Sequence, residues 1–426
     1  MKNLKIIAFL FLVTITCSCN VEEILNPTGP INLINEAPNA FSLVRANNGA
    51  TNIDLSPNLS WNSAIDPDGD TVSYDLYLDT NQNPTTLLAA NITATSFQIQ
   101  NRLSTVQQYY WKVVAKDGRG KTTQSNAVFS FTTRNLNVRN ITNNATFTER
   151  FKHSSAVFDN KLWVIGGRSS FANVSNNDKS DVWNSTNGIN WTLVTSNSFS
   201  NRHNHTSLVF DNKLWVIGGE EDNRRLNDDL YYSSNGSTWQ SALGPIGGGG
   251  PTATVLGNNL WSINGSEGDL QFYGIRYRTS IDDFWRSVPY GVYFPRRREH
   301  TTTTFDNKLI VVGGIGTTTN GIYNDVWHST DGSIWRQAIG TVFPERFGHT
   351  ATVFDNKIWI IGGRGYGGVY KNDIWYSTDG INWIEFSAVG SFPARAYHTA
   401  VVFDDKIWII GGINGGGSKK DVWVID

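Results

Sequence analysis

Five glycine pairs, Gly166-Gly167, Gly218-Gly219, Gly313-Gly314, Gly362-Gly363 and Gly411-Gly412, each close an apolar run such as Lys357-Ile358-Trp359-Ile360-Ile361. Their spacings are 52, 95, 49 and 49 residues. The long gap is two periods, so a further unit lies between the second and third pairs. Residues 251–297 supply it, with Asn264-Gly265 where the pair belongs. A period near fifty residues made of short strands implies a radial or stacked repeat, in which no unit buries its apolar face alone.

Each unit reads as four short strands. The first carries small side chains after a histidine, as in His349-Thr350-Ala351-Thr352-Val353-Phe354. A two-residue turn such as Asp355-Asn356 tolerates positive φ and joins antiparallel strands tightly. The second strand is apolar at successive positions, which fits burial on both faces. A glycine-rich loop follows, then a third strand opening with aspartate: Asp181-Val182-Trp183, Asp325-Val326-Trp327, Asp373-Ile374-Trp375 and Asp421-Val422-Trp423. A polar turn such as Ser329-Thr330-Asp331-Gly332 leads to a fourth strand headed by Trp335, with Trp191, Trp239, Trp285 and Trp383 at the matching places. These tryptophans serve packing between units.

This pattern of glycine pair, aromatic strand and trailing tryptophan resembles the kelch repeat, and the resemblance covers residues 137–426. It implies an all-β fold, a six-bladed kelch-type β-propeller. The unit at 251–297 departs from the pattern, with Pro251 for the histidine, Ser262 inside the apolar strand and Ile275 for the aspartate. The last unit reaches Asp426 after its third strand, while residues 137–146 read as a fourth strand without a unit of its own. Pairing the two is expected to close the ring and remove two exposed edges.

Residues 1–19 read as an export signal, with Lys2 and Lys5, an apolar run from Ile6 to Ile15, and Cys17-Ser18-Cys19. The run is too short to span a membrane as a helix. A cysteine directly behind such a run resembles the bacterial lipoprotein signal, which implies lipidation. Cys19, preceded by the small Ser18, is preferred to Cys17, preceded by the bulkier Thr16. An outer-membrane lipoprotein, facing the cell surface or the periplasm, is the expected location. Residues 20–35 form a tether. Residues 36–134 alternate short strands and turns, and Trp61 with the Leu103, Tyr109, Trp111 series resembles a fibronectin type III β-sandwich of the immunoglobulin-like class. Within it, Asp66-Pro67-Asp68-Gly69-Asp70 crowds three carboxylates into one loop, which either holds calcium or merely reverses the chain; no metal and no cofactor enter the assignment.

With 35 basic and 37 acidic residues, nothing in the charge balance draws nucleic acid, and the membrane is expected to be met through the N-terminal lipid only. Five histidines sit in Arg-x-x-His at the unit entries: Arg150, Arg202, Arg297, Arg346 and Arg395 precede His153, His205, His300, His349 and His398. Approximate sixfold symmetry makes the arginines either a ring that takes an anionic ligand through paired N–H donors or internal braces repeated because the fold needs them. The ring is taken here as the ligand-binding set. A common metal ion on the histidines is unfavoured by their separation around a wide axis.

No catalytic residue is assigned. The copper oxidase with kelch repeats uses a cysteine–tyrosine radical, and this chain has no cysteine beyond Cys17 and Cys19. The turn Ser377 to Trp383 is similar to the sialidase Asp-box but one residue shorter. Glu149, Glu220, Glu221, Asp269 and Glu345 qualify as carboxylates by loop position alone. The reading is therefore a non-catalytic module that binds a glycan or protein ligand; the alternative is a carbohydrate-active enzyme of the sialic-acid epimerase or sialidase-like propeller type.

Overall fold

The computed structural model describes residues 34–171, 177–222, 226–227, 229–242, 250–263, 274–289, 291, 293–316, 321–340 and 342–426. Cys17, Cys19, Asn264, Gly265, Asp269 and the tether up to residue 33 lie outside the described residues. The chain divides into two compact units. Of the described residues, one contains 34–50, Ser56–Asn101 and Gln108–Phe131; the other contains Thr51–Leu55, Arg102–Gln107 and those from Thr132 to Asp426.

The first unit is antiparallel β. Leu43–Arg45, Asn58–Trp61 and Ser96–Gln98 form one sheet, and Gln108–Lys116 lies between Ser73–Asp79 and Phe129–Thr133 in another. Alternation along Gln108–Lys116 sends Trp111, Val113 and Ala115 inward, each fully buried, as a half-covered strand requires. Trp61 and Phe41 meet Tyr74 edge-on at 5.5 and 5.8 Å.

Among the described residues the second unit contains six antiparallel sheets in meander order, five of them four-stranded and one five-stranded because Arg297–Arg298 adds a short strand beside Lys308–Gly316. Their first strands are Ser154–Phe158, Thr206–Phe210, Thr252–Leu256, Thr301–Phe305, Thr350–Phe354 and Thr399–Phe403. Each of these touches the first strand of the next sheet, and the last touches the first of all. Turns such as Asp355-Asn356 carry positive φ at both residues, 51° and 52°, which matches the right-handed twist of the strands they join. Second strands such as Lys357–Arg364 are buried at nearly every position, because apolar clusters lie on both of their faces.

Those clusters fill the spaces between neighbouring sheets. Ile310 and Val312 meet Ile358 and Ile360, whereas Trp408, Ile410, Val422 and Val424 of the sixth sheet meet Leu162, Val164 and Trp191 of the first. The sixth sheet takes its outer strand from the far end of the unit. Val138–Thr142 pairs antiparallel with Val422–Ile425, with Val138 opposite Ile425 and Asn140 opposite Trp423. The strand is shorter than the 137–146 segment expected, since the Thr142 hydroxyl accepts from Asn144 N at 3.1 Å and turns the chain.

Candidate functional site

The structure places the five arginines inside their own sheets. Arg150, Arg202, Arg297, Arg346 and Arg395 are all 0% exposed. Arg346 shows the common arrangement: its guanidinium donates to Pro344 O at 3.0 Å, Gly362 O at 2.9 Å and both carboxylate oxygens of Asp373 at 2.8 and 2.7 Å. Arg150 with Asp181, Arg297 with Asp325 and Arg395 with Asp421 repeat it. Burial pushes the Asp373 carboxyl up, but the Arg346 hydrogen bonds outweigh it and hold the group below the usual carboxylate range. The expected anion-binding ring is thereby corrected. In these four sheets the guanidinium braces the glycine pair against the third strand, and all five arginines are buried where no ligand in solvent reaches them.

The histidines join sheets. His205 Nε2 lies 2.7 Å from Ser154 Oγ of the preceding sheet, and His300, His349 and His398 reach Thr252, Thr301 and Thr350 in the same way. His153 reaches Thr399 of the sixth sheet at 3.2 Å, completing the circuit. Where Pro251 replaces the histidine, the Thr206 hydroxyl donates to the Pro251 carbonyl at 2.6 Å. The glycine pair exists for these joints. A Cβ on Gly363 would lie 2.8 Å from His349 Cβ, and one on Gly362 would lie 3.0 Å from His398 Cε1 of the next sheet.

Two residues before each first strand stands a residue in the left-handed conformation. Lys152, Asn204, Gly250, Glu299, Gly348 and Tyr397 have φ between 52° and 61°. Backbone bonds chain them together: Lys152 N donates to Tyr397 O, Tyr397 N to Gly348 O, Gly348 N to Glu299 O, and Asn204 N to Lys152 O. With the five histidines beneath, Lys152, Asn204, Glu299, Gly348 and Tyr397 line a cavity of about 130 Å³. This mouth is the candidate site. Sequence reasoning passed over it, although it is an entry position where otherwise similar units carry quite different side chains.

Its groups are tied to one another. Lys152 Nζ sits 2.9 Å from Glu299 Oε1, and the Tyr397 hydroxyl donates to Glu299 Oε2 at 2.6 Å. Burial raises the Glu299 carboxyl, yet the Lys152 charge and the Tyr397 bond prevail and keep it below its ordinary value. Tyr397 is pushed well up by burial and by the Glu299 charge. Aromatic rings surround it: Phe151, Phe171 and Phe347 lie 6.2, 6.3 and 6.4 Å from Tyr397, and Phe171 is exposed.

A second charged group adjoins. Asn204 Nδ2 donates to Glu220 Oε1 at 2.7 Å, and His203 stands between Glu220 Oε2 at 3.5 Å and Asp178 Oδ2 at 3.0 Å, with Arg168 beside it. Burial lowers His203, but the Asp178 and Glu220 bonds outweigh it and raise the ring above its ordinary value. Glu220, raised by burial and lowered more by His203, Lys152 and Asn204, is held down at about 2. Of the carboxylates marked by loop position, Glu220 reaches this mouth, through Asn204. Both mouth carboxyls are thus held ionised and paired, an arrangement that presents fixed charges beside an aromatic cluster.

Residues 105–314 and 299–426 match the KLHDC2/KLHL20/DRC7 Kelch-repeats domain. The chain belongs to the kelch-repeat family. Its all-β second unit is a kelch β-propeller, and kelch repeats suggest a protein-binding module. The comparison with curated proteins gives no match.

Proposed function

We propose that this kelch protein is a non-catalytic binding module whose mouth, centred on Tyr397, takes a protein or glycan ligand. The propeller has six blades sealed by Val138–Thr142; the cyclic contacts of the first strands and the pairing of that strand with Val422–Ile425 support this. A fibronectin type III-like sandwich and a lipid on Cys19 hold it at the outer membrane, a reading that rests on the signal-like N-terminus and on the antiparallel first unit.

One observation carries the choice of recognition. The mouth combines an ionised, internally paired Lys152–Glu299 couple with the accessible rings of Phe171, Phe347 and Tyr397, which rest on the buried Phe151. Partly exposed aromatics with fixed polar neighbours are the usual energetic centre of a binding surface. The test is binding of the protein to a glycan array and a peptide library, alongside Phe171→Ala and Lys152→Met. Ligand selected by the wild type should bind about tenfold or more weakly to both variants, a loss of roughly 1.4 kcal/mol; Phe171→Ala should do so at unchanged melting temperature, whereas Lys152→Met should also lower it by leaving Glu299 without its cation. Equal binding by both variants, or chemical turnover of a bound glycan, would overturn the reading.

A further inference from the structure

The loop Asp66-Pro67-Asp68-Gly69-Asp70 in the first unit gathers carboxylate oxygens of Asp66, Asp68 and Asp70 within 4.8 Å of one another. Asp66 is 6% exposed. Its Oδ1 accepts from Asp68 N at 3.0 Å and Asp70 N at 3.2 Å, which fixes the carboxyl in place. Its Oδ2 is buried and has no hydrogen-bond partner among the described residues. A buried carboxylate oxygen without a donor is costly, and a cation is the natural remedy.

The neighbouring chain adds a second orphan. Glu36 N donates to Asp68 Oδ2 at 2.6 Å, bringing the segment before Pro38 against the loop. There Asn35 donates its Nδ2 to Asp117 Oδ2 at 2.9 Å, while its Oδ1 is buried without a partner. The basic group that reaches the cluster is Arg119, whose Nε lies 3.2 Å from Asp70 Oδ2 and whose side chain is half exposed. Three carboxylates therefore face one guanidinium.

We propose that this loop is a calcium site, with Asp66, Asp68 and Asp70 as carboxylate ligands. The donor set contains oxygen alone, without sulfur or imidazole, and it sits on a turn that can adjust to a large ion; both favour calcium over zinc or magnesium. Gly69, at φ +80° with open space around its Cα, allows the sharp reversal that brings three alternate residues to one side. Occupancy pins residues 35 and 36 to the loop joining Asn58–Trp61 to Ser73–Asp79, so the ion stiffens the entrance of this unit.

The experiment is calorimetric titration of the full chain, freed of metal with EDTA, using calcium chloride and in parallel magnesium chloride, followed by melting with and without calcium. One calcium per chain is expected, with a dissociation constant of about 0.1–1 mM as in extracellular modules, and an upward shift of roughly 5 °C or more in the transition of the first unit at saturation. Asp68→Asn, which leaves the buried Asp66 bonds in place, should weaken binding about tenfold or more, and Arg119→Gln should strengthen it a few-fold by removing a competing charge. Terbium luminescence on the wild type reports the site independently of variant folding. No calcium heat and no terbium signal at millimolar ion, or equal affinity for magnesium, would overturn the assignment.

Discussion

Arg346 and Arg202 occupy the same place in their repeats and are equally buried, yet they keep different company. Asp373 is aimed at Arg346 because Trp375 Nε1 donates to its Oδ2 at 2.9 Å. In the second sheet Tyr231 stands at the tryptophan position and Asp229 is exposed, so Arg202 keeps Ser200 O, Gly218 O and Ser200 Oγ without a paired carboxylate. Burial consequently lowers the Arg202 guanidinium from its ordinary value. Arg346→Met leaves the half-buried Asp373 without its cation, held by Trp375 alone, and is expected to cost about 3 kcal/mol. Arg202→Met strands no partner charge and should cost clearly less, about 1–2 kcal/mol of lost hydrogen bonds. Urea unfolding of the two variants decides; equal losses would show that the carboxylate is not what makes the brace. The brace was half legible in the sequence. Arg-x-x-His is visible as a repeat, but the repeat alone does not say whether a guanidinium points to solvent or inward. The strand register puts Ile275 level with Ile374, so Gly274, not Ile275 as expected, stands at the aspartate place; that unit also lacks Arg-x-x-His, which points to partnership inside the chain.

At the scale of strands, the order of turns, apolar runs and glycine pairs was readable because each has a steric cause that acts locally. Asp-Asn turns need positive φ at two residues, and the glycine pairs need room for histidine. What local pattern did not give was the mouth, where Lys152, Glu299 and Tyr397 meet from entry loops far apart in the chain, nor the Asp66 loop, whose meaning depends on a missing donor for one oxygen. The closing strand lies between these cases: its place follows from the repeat, and its length follows from the Thr142 turn. Val138 is 7% exposed and belongs to the cluster with Leu136, Ile407 and Ile425. Val138→Asp buries a carboxylate there and should cost about 3 kcal/mol or more. It also frees the edge Val422–Ile425, an open template for another chain. Size-exclusion chromatography should show dimers or larger species in place of monomer, and an unchanged monomer of unchanged stability would refute the role of this strand.

At the scale of the whole propeller, the five joint histidines make acid a shared threat. Burial, then the arginine of the same sheet, lowers His300 to about 3; burial, helped by Arg202 and Arg395, does the same to His205 and His398, while His153 and His349 fall well below the ordinary value. In the unfolded chain each titrates near 6.5. Between these limits the unfolded state binds protons that the folded state refuses, so stability declines as pH falls, by up to about 1.4 kcal/mol per histidine per pH unit. His203 acts in the opposite direction, since its raised ring takes up a proton in the folded state first. With His328, also lowered by burial, it is six against one, which leaves a net loss. The lowered carboxyls Asp181, Asp373, Asp421 and Glu220 add theirs below the carboxylate range. The urea midpoint of the propeller should therefore fall steeply from pH 7 to pH 5, before any aspartate titrates, and His398→Gln should shallow that slope by about one proton. A midpoint flat over this interval would mean that the imidazoles open to solvent in the folded state. A steep fall would mean that proton uptake occurs only when the sheet-to-sheet joints part, so that protonation of one joint and separation of neighbouring sheets are a single event.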